Sequence, residues 1–296
     1  MTDNGSTPTG GGLMKGKRGI VMGVANNHSI AWGIARQLHA EGAEIGLTYQ
    51  NDQFGRRVKP LAASIDAPFL ERCDVEDVAT VDNLFDVAAK HWGEMDFFVH
   101  AVAFSDKNEL KGRYADTTRE NFARTMVISC FSFTEAAKRA AALMPNGGSI
   151  LTLSYGGAVK VMPNYNVMGV AKAALEASVR YLASDFGEDG VRVNAISAGP
   201  VRTLAGAGVT DARLMFNYQR KHAPLGRTVV IEEIGRSATY LLSDYASGVT
   251  GEIHYVDSGY NIVSMPKLAE LRAEERREII EEKVEAVSPD LLSGSS

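Results

Sequence analysis

The sequence has little cysteine and little histidine, and each shortage excludes a class of protein. Its 296 residues contain two cysteines, Cys73 and Cys130, which are too few for a disulfide framework. We therefore expect buried thiols in a reducing compartment. The six histidines are scattered and lack the paired spacing of metal ligands. The sequence therefore predicts no metal site.

Charge and hydropathy exclude two further classes. The formal net charge is −5 and no run of basic residues stands out, so we expect no nucleic-acid partner. No apolar stretch reaches the roughly 20 residues that cross a bilayer, so we expect no membrane partner. The first residues contain no signal-peptide core. We expect residues 1–15 to form a disordered tail and the protein to be cytoplasmic.

Short apolar runs alternate with helical patterns between residues 18 and 263. The predicted strands are Arg18–Gly23, Glu44–Tyr49, Pro68–Cys73, Phe97–Val102, Ser149–Leu153, Val191–Ser197 and Ile253–Asp257. The predicted helices are Ile30–Glu41, Val78–His91, Arg119–Leu143, Tyr165–Phe186 and Glu232–Leu242. This alternation predicts an α/β fold, a single Rossmann-like domain over residues 16–265. Its doubly wound parallel sheet would have about seven strands with helices on both faces, and would bind ligands at the strands' carboxyl ends.

Two regions fall outside the alternation. The glycine-rich segment Gly199–Tyr218 follows a strand end, and a segment of that length is typical of a lid over a site. Residues 266–296 form a charged C-terminal tail, in which Lys267–Ala286 has the composition of a helix. We expect that helix to be solvated or to lie against a neighbouring subunit.

The turn after the first strand has features of a dinucleotide site. Gly23 closes the strand and a helix begins at Ser29 or Ile30, where backbone N–H groups suit a pyrophosphate. Gly33 would allow close packing of helix against strand. The G-x-G-x-x-G spacing is absent, because Ala25 stands where a second glycine is expected. An ordinary turn with Ser29 as the N-cap is the alternative.

Later strand ends carry residues suited to the rest of a dinucleotide. Gln50 could bond both hydroxyls of a ribose, and Asp74 could accept from an adenine amino group or merely cap the next helix. Thr203 follows the sixth strand, where it would meet a nicotinamide carboxamide. Gln50 has no charge for a 2′-phosphate, which favours NADH over NADPH. Arg56 and Arg57 could bind such a phosphate, or could simply be solvated.

The segment 154–172 contains the candidate catalytic residues. Tyr165 and Lys172 are seven positions apart, about two turns of the predicted helix, so they share a face with Met168 and Gly169. A phenol can donate to a developing oxyanion, and an ammonium can hold a ribose and lower the phenol's pKa. Gly169 would leave room for a flat group between them. The alternative is an amphipathic helix on which this spacing is accidental.

Together these residues resemble the short-chain dehydrogenase/reductase superfamily and, more closely, bacterial NADH-dependent enoyl-(acyl carrier protein) reductases. The resemblance runs from about residue 16 to 265. It is carried by G-V-A-x-x-x-S-I-A-x-G-I-A, T-Y-Q-N-D, C-D-V, L-T-L-S-Y-x-G-A, P-N-Y-N-V-M-G-V-A-K and V-R-V-N-A-I-S-A-G-P-V-R-T-L-A. In the wider superfamily a catalytic serine precedes Tyr-x-x-x-Lys. Here Ser154-Tyr155 occupies that strand end, a pattern of the enoyl reductases.

The resemblance implies a role for each matching residue. The catalytic residues would be Tyr155, Tyr165 and Lys172. NAD would be held by Gly23, Ser29, Ile30, Gln50, Asp74, Val75, Ala103, Lys172, Val201 and Thr203. The enoyl thioester would be bound by Tyr155, Tyr165, Met168, Ala205 and Met215. The implied partners are an acyl carrier protein and further copies of the chain in a homotetramer.

The chain departs from the family pattern at three places. Ala103 replaces a glycine beside the cofactor, Ala212 stands at a lid position that is aromatic in some relatives, and the tail beyond Met265 is longer. These differences concern acyl chain length and inhibitor response. Two other functions stay open on the residues alone, a short-chain carbonyl or 3-oxoacyl reductase and an inactive NAD-binding sensor.

Overall fold

A computed structural model describes residues 11–201 and 212–287. Its centre is one sheet of seven parallel strands in the order β3-β2-β1-β4-β5-β6-β7. The strands are β1 (Arg18–Met22), β2 (Glu44–Tyr49), β3 (Leu70–Arg72), β4 (Phe97–His100), β5 (Gly148–Ser154), β6 (Val191–Ala198) and β7 (Ile253–Val256). The predicted doubly wound parallel sheet is confirmed.

The strand order reverses between β1 and β4. The chain winds from β1 outward to β3 and then returns to lay β4 on the other side of β1. The register pairs Met22 with His100, so the segments that leave β1 and β4 start side by side. A crevice between two diverging connections of this kind is where open α/β sheets bind ligands.

Helices cover both faces of the sheet. They are α1 (Ile30–Ala40), α2 (Asp52–Ser64), α3 (Val78–Trp92), α4 (Arg119–Met126), α5 (Ser132–Ala142), α6 (Asn166–Asp185), α7 (Ala212–His222), α8 (Ile231–Leu242) and α9 (Leu268–Val287). A π-helical segment, 127–131, separates α4 from α5, so the single helix predicted over Arg119–Leu143 is wrong in its middle. The predictions also missed α2 and α7.

The core has two halves, one on each face. Phe98 and Ile150 point to α3, α5 and α6, while Phe97 and Leu151 point to α1, α2 and α8. Successive strand residues therefore alternate between two buried faces, as parallel strands covered on both sides require. Both cysteines are buried free thiols, as predicted.

Gly33 packs against a helix and not against a strand. A Cβ there would lie 3.0 Å from the Ile231 carbonyl oxygen, and a Cβ on Gly235 would lie 2.8 Å from the Gly33 carbonyl oxygen. The two glycines let α1 and α8 approach backbone to backbone. The expected helix–strand role of Gly33 is therefore wrong, because its bare face is turned toward α8.

The packed chain begins before residue 16. The Glu41 carboxylate accepts the N–H groups of Gly11 and Leu13 at 2.7 and 3.1 Å, and the Met14 side chain is fully buried. Residues 11–15 of the predicted tail therefore belong to the folded domain, with Met14 in its core. At the other end, residues 268–287 form the helix expected of the C-terminal tail. Across the described residues, no helix has both the length and the apolar character needed to cross a membrane.

Candidate active site

The turn from β1 to α1 is built around Gly23 and Ser29. Gly23 has φ +101°, and a Cβ there would lie 2.2 Å from the Ala101 carbonyl oxygen at the end of β4. Only glycine combines that backbone angle with that approach. The Ser29 hydroxyl accepts the N–H groups of Ala25 and Asn26, both at 3.0 Å.

Ser29 stands at the N-cap position of α1, but its side chain makes no capping hydrogen bond. The hydroxyl instead closes the turn, which corrects the alternative of a simple capping serine. The first-turn N–H groups of α1, beginning at Ile30, thus receive no side-chain cap. Such groups carry the positive end of the helix dipole and suit an anionic ligand such as a pyrophosphate.

The residues predicted to hold the adenosine half lie at the ends of β2 and β3. Gln50 is exposed directly after β2, and Val75 is buried below the turn that follows β3. One Asp74 carboxylate oxygen accepts the N–H of Glu76 at 3.1 Å. Asp77, not Asp74, occupies the N-cap position of α3, so the capping alternative for Asp74 is wrong.

The segment after β4 presents Ala103 and Phe104 at the open edge of the crevice, where both are exposed. The Ser129 hydroxyl accepts the Phe104 N–H and donates to the Phe104 carbonyl, each at 2.9 Å. Ser129 is fully buried in the π-helical segment. That segment therefore fixes the backbone beside Ala103, a role the sequence did not indicate.

Lys172 lies on α6 with its side chain buried. Its Nζ donates to the Leu153 carbonyl oxygen at the end of β5 at 2.7 Å. One of three ammonium protons is used there, so two remain for other acceptors. Burial lowers the pKa of Lys172 from 10.5 to about 8.

Tyr165 occupies the N-cap position of α6 and not the first turn, so the predicted helix begins one residue too early. Burial raises the pKa of the Tyr165 phenol, which is opposite to the lowering expected from Lys172, so the phenol is protonated and able to donate at neutral pH. A Cβ on Gly157 would lie 2.5 Å from the Tyr165 ring. The turn after β5 therefore passes directly over that ring.

Gly169 on α6 lets the same turn after β5 pack closely against the helix. A Cβ on Gly169 would lie 2.8 Å from the Gly157 carbonyl oxygen. The expectation that Gly169 leaves room for a flat ligand is therefore wrong, since the space above it is taken by backbone.

Tyr155 joins the site from the end of β5. Its ring meets the Tyr165 ring edge to face, with centroids 5.1 Å apart and an interplanar angle of 71°. The Gln219 side chain, on α7, donates to the Tyr155 hydroxyl oxygen at 2.8 Å. Burial raises the pKa of Tyr155 as well. Gln219 lies 64 residues away in sequence, and nothing in the sequence pattern pointed to it.

A cavity of about 200 Å³ adjoins Tyr155, with walls that include Met162, Gln219, Tyr255 and Tyr260. It opens at the carboxyl ends of β6 and β7, on the ligand-binding edge of the sheet. A larger depression of about 530 Å³ lies at the opposite edge and is lined by none of the predicted site residues.

The remaining residues predicted to bind substrate or cofactor differ in burial, and some lie outside the described residues. Met168 is buried in a small cluster with Leu110, Val167 and Tyr165, and Met215 is half-buried on α7. Val201 packs on the core after β6. Thr203 and Ala205 lie outside the described residues, as does half of the predicted lid, whose last part forms α7.

A strand order that reverses beside β1, with a tyrosine and a buried lysine on the helix after β5, defines a reductase of the short-chain dehydrogenase/reductase type. A family model described as enoyl-(acyl carrier protein) reductase matches residues 23–261. The chain belongs to that family.

Relatives agree along most of the chain. It is 69% identical over 261 residues to enoyl-(acyl carrier protein) reductase (NADH) 2 of Rhizobium meliloti strain 1021, covering 88% of this chain and 97% of the relative. It is 56% identical to the Anaplasma phagocytophilum reductase crystallised with NAD, with a TM-score of 0.85 over 89% of this chain and 100% of that one. The Bacillus cereus reductase crystallised with NADP+ and indole naphthyridinone is 47% identical, with a TM-score of 0.84 over 86% of this chain and 99% of that one.

Proposed function

We propose that this chain is an NADH-dependent enoyl-(acyl carrier protein) reductase that reduces a trans-2-enoyl thioester to the saturated acyl thioester. The observation that carries the proposal is the buried Lys172 ammonium bonded at the carboxyl end of β5, together with the ring contact of Tyr155 with Tyr165. The relative from Rhizobium is named for the same reaction and for NADH. That reaction is the second of the two reductions in a cycle of fatty-acid elongation.

The residues of the crevice fit a nicotinamide dinucleotide. The uncapped N–H groups at the start of α1 suit its pyrophosphate, and exposed Gln50 offers a neutral amide to a ribose. Two protons of the Lys172 ammonium suit the hydroxyls of the second ribose. Asp74 and Val75 would border the adenine, while Val201 and Ala103 would border the nicotinamide.

The chain's own residues would stabilise the charge that the reaction creates. NADH, when bound, would supply a hydride to the β-carbon of the substrate, which would leave negative charge on the thioester carbonyl oxygen until a proton is added at the α-carbon. The Tyr165 phenol, kept protonated by burial, donates a hydrogen bond to that oxygen. The Lys172 ammonium adds a fixed positive charge close by. Met168 and Met215 would face the acyl chain, and Tyr155 would lie along it.

The buried hydroxyl of Ser154 argues against the rival carbonyl reductase. A reductase of that type uses a serine hydroxyl facing the substrate at the end of the strand that here is β5. Ser154 instead points into the core, where it donates to the Glu176 carboxylate at 2.5 Å. The sensor alternative is disfavoured because a sensor has no need of a buried Lys172 and an adjoining phenol.

Loss of NADH absorbance with a trans-2-enoyl thioester tests the function. The Tyr165→Phe variant should lose about 10²–10³-fold in kcat, as expected for removing one oxyanion donor, while its affinity for NADH stays within about twofold. NADPH and a 3-oxoacyl thioester run in parallel test the cofactor and the rival reaction. A wild-type protein that binds NADH and reduces only the 3-oxoacyl substrate would overturn the proposal.

The partners and location complete the proposed function. Exposed Arg213, Arg220 and Lys221 on α7 offer positive charge to an acidic acyl carrier protein beside the Tyr155 cavity. Further copies of the chain would pack on α4, α5 and α6 in a homotetramer. Two buried free thiols are consistent with the reducing cytoplasm.

A further inference from the structure

Helix α6 carries a second buried charged side chain one turn beyond Lys172. Glu176 is 5% exposed and Lys172 is 6% exposed, and four residues separate them, so they lie on the same side of the helix. The Ser154 hydroxyl donates to Glu176 Oε1 at 2.5 Å, and Lys172 Nζ donates to the Leu153 carbonyl oxygen at 2.7 Å. At the end of β5, Leu153 therefore binds the buried Lys172 ammonium and the next residue, Ser154, binds the buried Glu176 carboxylate.

A buried ammonium needs a nearby anion, because taking a charge out of water is costly unless an opposite charge or hydrogen bonds replace the water. Two described side chains, Cys130 and Glu176, act electrostatically on Lys172 to favour its charged form, and Glu176 is the one carboxylate of the two. It favours the charged form of Lys172, whereas burial opposes that form and lowers the pKa to about 8.

The other titratable groups around Lys172 are neutral near pH 7. His100 on β4 contacts the Ser132 and Thr152 hydroxyls, and burial lowers its pKa to about 3. Burial raises the pKa of the Cys130 thiol and of the Tyr165 phenol.

Glu176 itself meets the neutral hydroxyl of Ser154. Tyr255 on β7 also faces Glu176, and its phenol pKa is raised, mainly by burial. The polar neighbours on β4, β5, β7 and the π-helical segment therefore supply no charge that would replace the carboxylate.

We propose that Glu176 is a positioning residue for the reduction, whose carboxylate, fixed by Ser154, keeps the Lys172 ammonium charged and directed at the nicotinamide ribose. This inference rests on the role proposed above for Lys172. Glu176 touches neither cofactor nor substrate, so its effect is transmitted through Lys172. Across about one helical turn, an opposite charge in a partly buried site shifts a pKa by about one to two pH units.

The Glu176→Gln variant tests the charge while keeping the shape. Glutamine has the same size, and its Oε1 still accepts from Ser154. Affinity for NADH, measured by fluorescence titration across about pH 6 to 10, should fall as the pH rises through the pKa of Lys172. In the variant this alkaline fall should begin about one pH unit lower than in wild type, and the two affinities should converge near about pH 6.

The Asp185→Asn variant is the matched control. Asp185 lies at the end of the same helix, nine residues beyond Glu176, and is exposed, so the variant removes a carboxylate charge at a distance from Lys172. Its pH profile should superimpose on that of wild type. Glu176→Asp keeps the charge and should hold the midpoint within about 0.3 pH units of wild type. If Glu176→Gln fails to fold, Glu176→Leu removes the same charge and should show the same earlier alkaline fall.

The outcomes separate this inference from the proposed function. A loss of NADH affinity in Glu176→Gln that is equal at every pH, or no loss at all, would overturn the role of Glu176. A midpoint that moves down in Glu176→Asp as far as in Glu176→Gln would overturn it too. The binding measurement needs no turnover, so a wild-type protein that binds NADH but does not reduce enoyl thioesters defeats the proposed function alone.

Discussion

Tyr155 and Tyr165 carry the same phenol but have different surroundings. Tyr165 stands at the start of α6, beneath the turn that contains Gly157. Tyr155 stands at the end of β5 and accepts a hydrogen bond from Gln219 on α7. Since Gln219 occupies an acceptor position of the Tyr155 oxygen, the Tyr155 O–H remains a donor toward the substrate cavity. The two rings touch, so a change at either affects the other.

We predict that Tyr155→Phe lowers kcat/KM for the enoyl thioester about tenfold, the usual cost of one hydrogen bond, and therefore far less than Tyr165→Phe does. Gln219→Leu should lower it several-fold. Because the two side chains bond each other, the double variant should lose less than the product of the single losses. Steady-state kinetics of the three variants provides the measurement. Strictly multiplicative losses would show that the bond between Gln219 and Tyr155 has no part in binding.

At the scale of elements, the ends of β1 and β4 form the crevice and Gly23 allows their approach. A Cβ at this position would meet the Ala101 carbonyl, which belongs to backbone and cannot rotate away. The positive φ adds strain for any other residue. A glycine at position 23 is therefore required both for the stability of this sheet edge and for the shape of the site.

We predict that Gly23→Ala destabilises the fold by about 2–4 kcal/mol and weakens NADH binding. Gly248→Ala is the matched control, because Gly248 has nothing within 4 Å of its would-be Cβ and should stay within about 0.5 kcal/mol of wild type. Urea denaturation measures the first quantity and fluorescence titration the second. Equal stability of the two variants would contradict the proposed approach of β1 to β4.

Sequence patterns predicted elements where burial is periodic and missed them where it is not. The strands alternate between two apolar faces, and α1, α3 and α6 each carry an apolar stripe. Helix α2 was missed because it contains Pro60 and buries few residues, so its apolar pattern is weak. The one sequence signal for its start is the N-cap Asn51, whose side chain accepts the N–H groups of Gln53 and Phe54. The π-helical segment depends on the bonds from Ser129 to Phe104, a contact between distant parts of the chain.

At the scale of the whole molecule, an apolar surface runs along the helices of one face. It consists of Phe122, Val127 and Phe131 on the α4–α5 region and Tyr181 on α6, which are 39%, 43%, 52% and 75% exposed. A group of exposed large apolar side chains on neighbouring helices is a candidate interface between subunits. It supports the proposed homotetramer, whose contacts we expect on α4, α5 and α6.

We predict that Phe131→Glu converts the assembly to a smaller species, because a carboxylate cannot be buried in an apolar interface without a partner. Tyr245→Glu is the control, since Tyr245 is 75% exposed directly after α8, which covers the other face of the sheet. Light scattering coupled to gel filtration gives the mass of each species. Unchanged mass in Phe131→Glu would place the subunit interface elsewhere.

We predict that Arg220→Glu raises KM for an acyl-carrier-protein thioester about tenfold and leaves KM for a short free thioester unchanged. The reason is that charge on α7 acts on the acidic carrier and not on the acyl chain. Lys90→Glu, at the far end of α3, makes the same charge change as a control and should alter neither constant. In wild type, KM for the acyl-carrier-protein thioester should rise with added salt, because salt screens the attraction between α7 and the carrier. Equal effects on both substrates would mean that α7 acts on the acyl pocket.

The sequence by itself determined the sheet, its two buried faces and the pair Tyr165 and Lys172, because these follow from local periodicity and from spacing on one helix. It also marked Gly23, since a strand end followed by a helix requires a turn there. Tertiary structure alone decided that Ser154 turns inward to Glu176, that Gly33 meets α8 and that Gln219 reaches Tyr155. Each of these is a contact between residues at least 22 positions apart, where the closest approach depends on packing that no local pattern records.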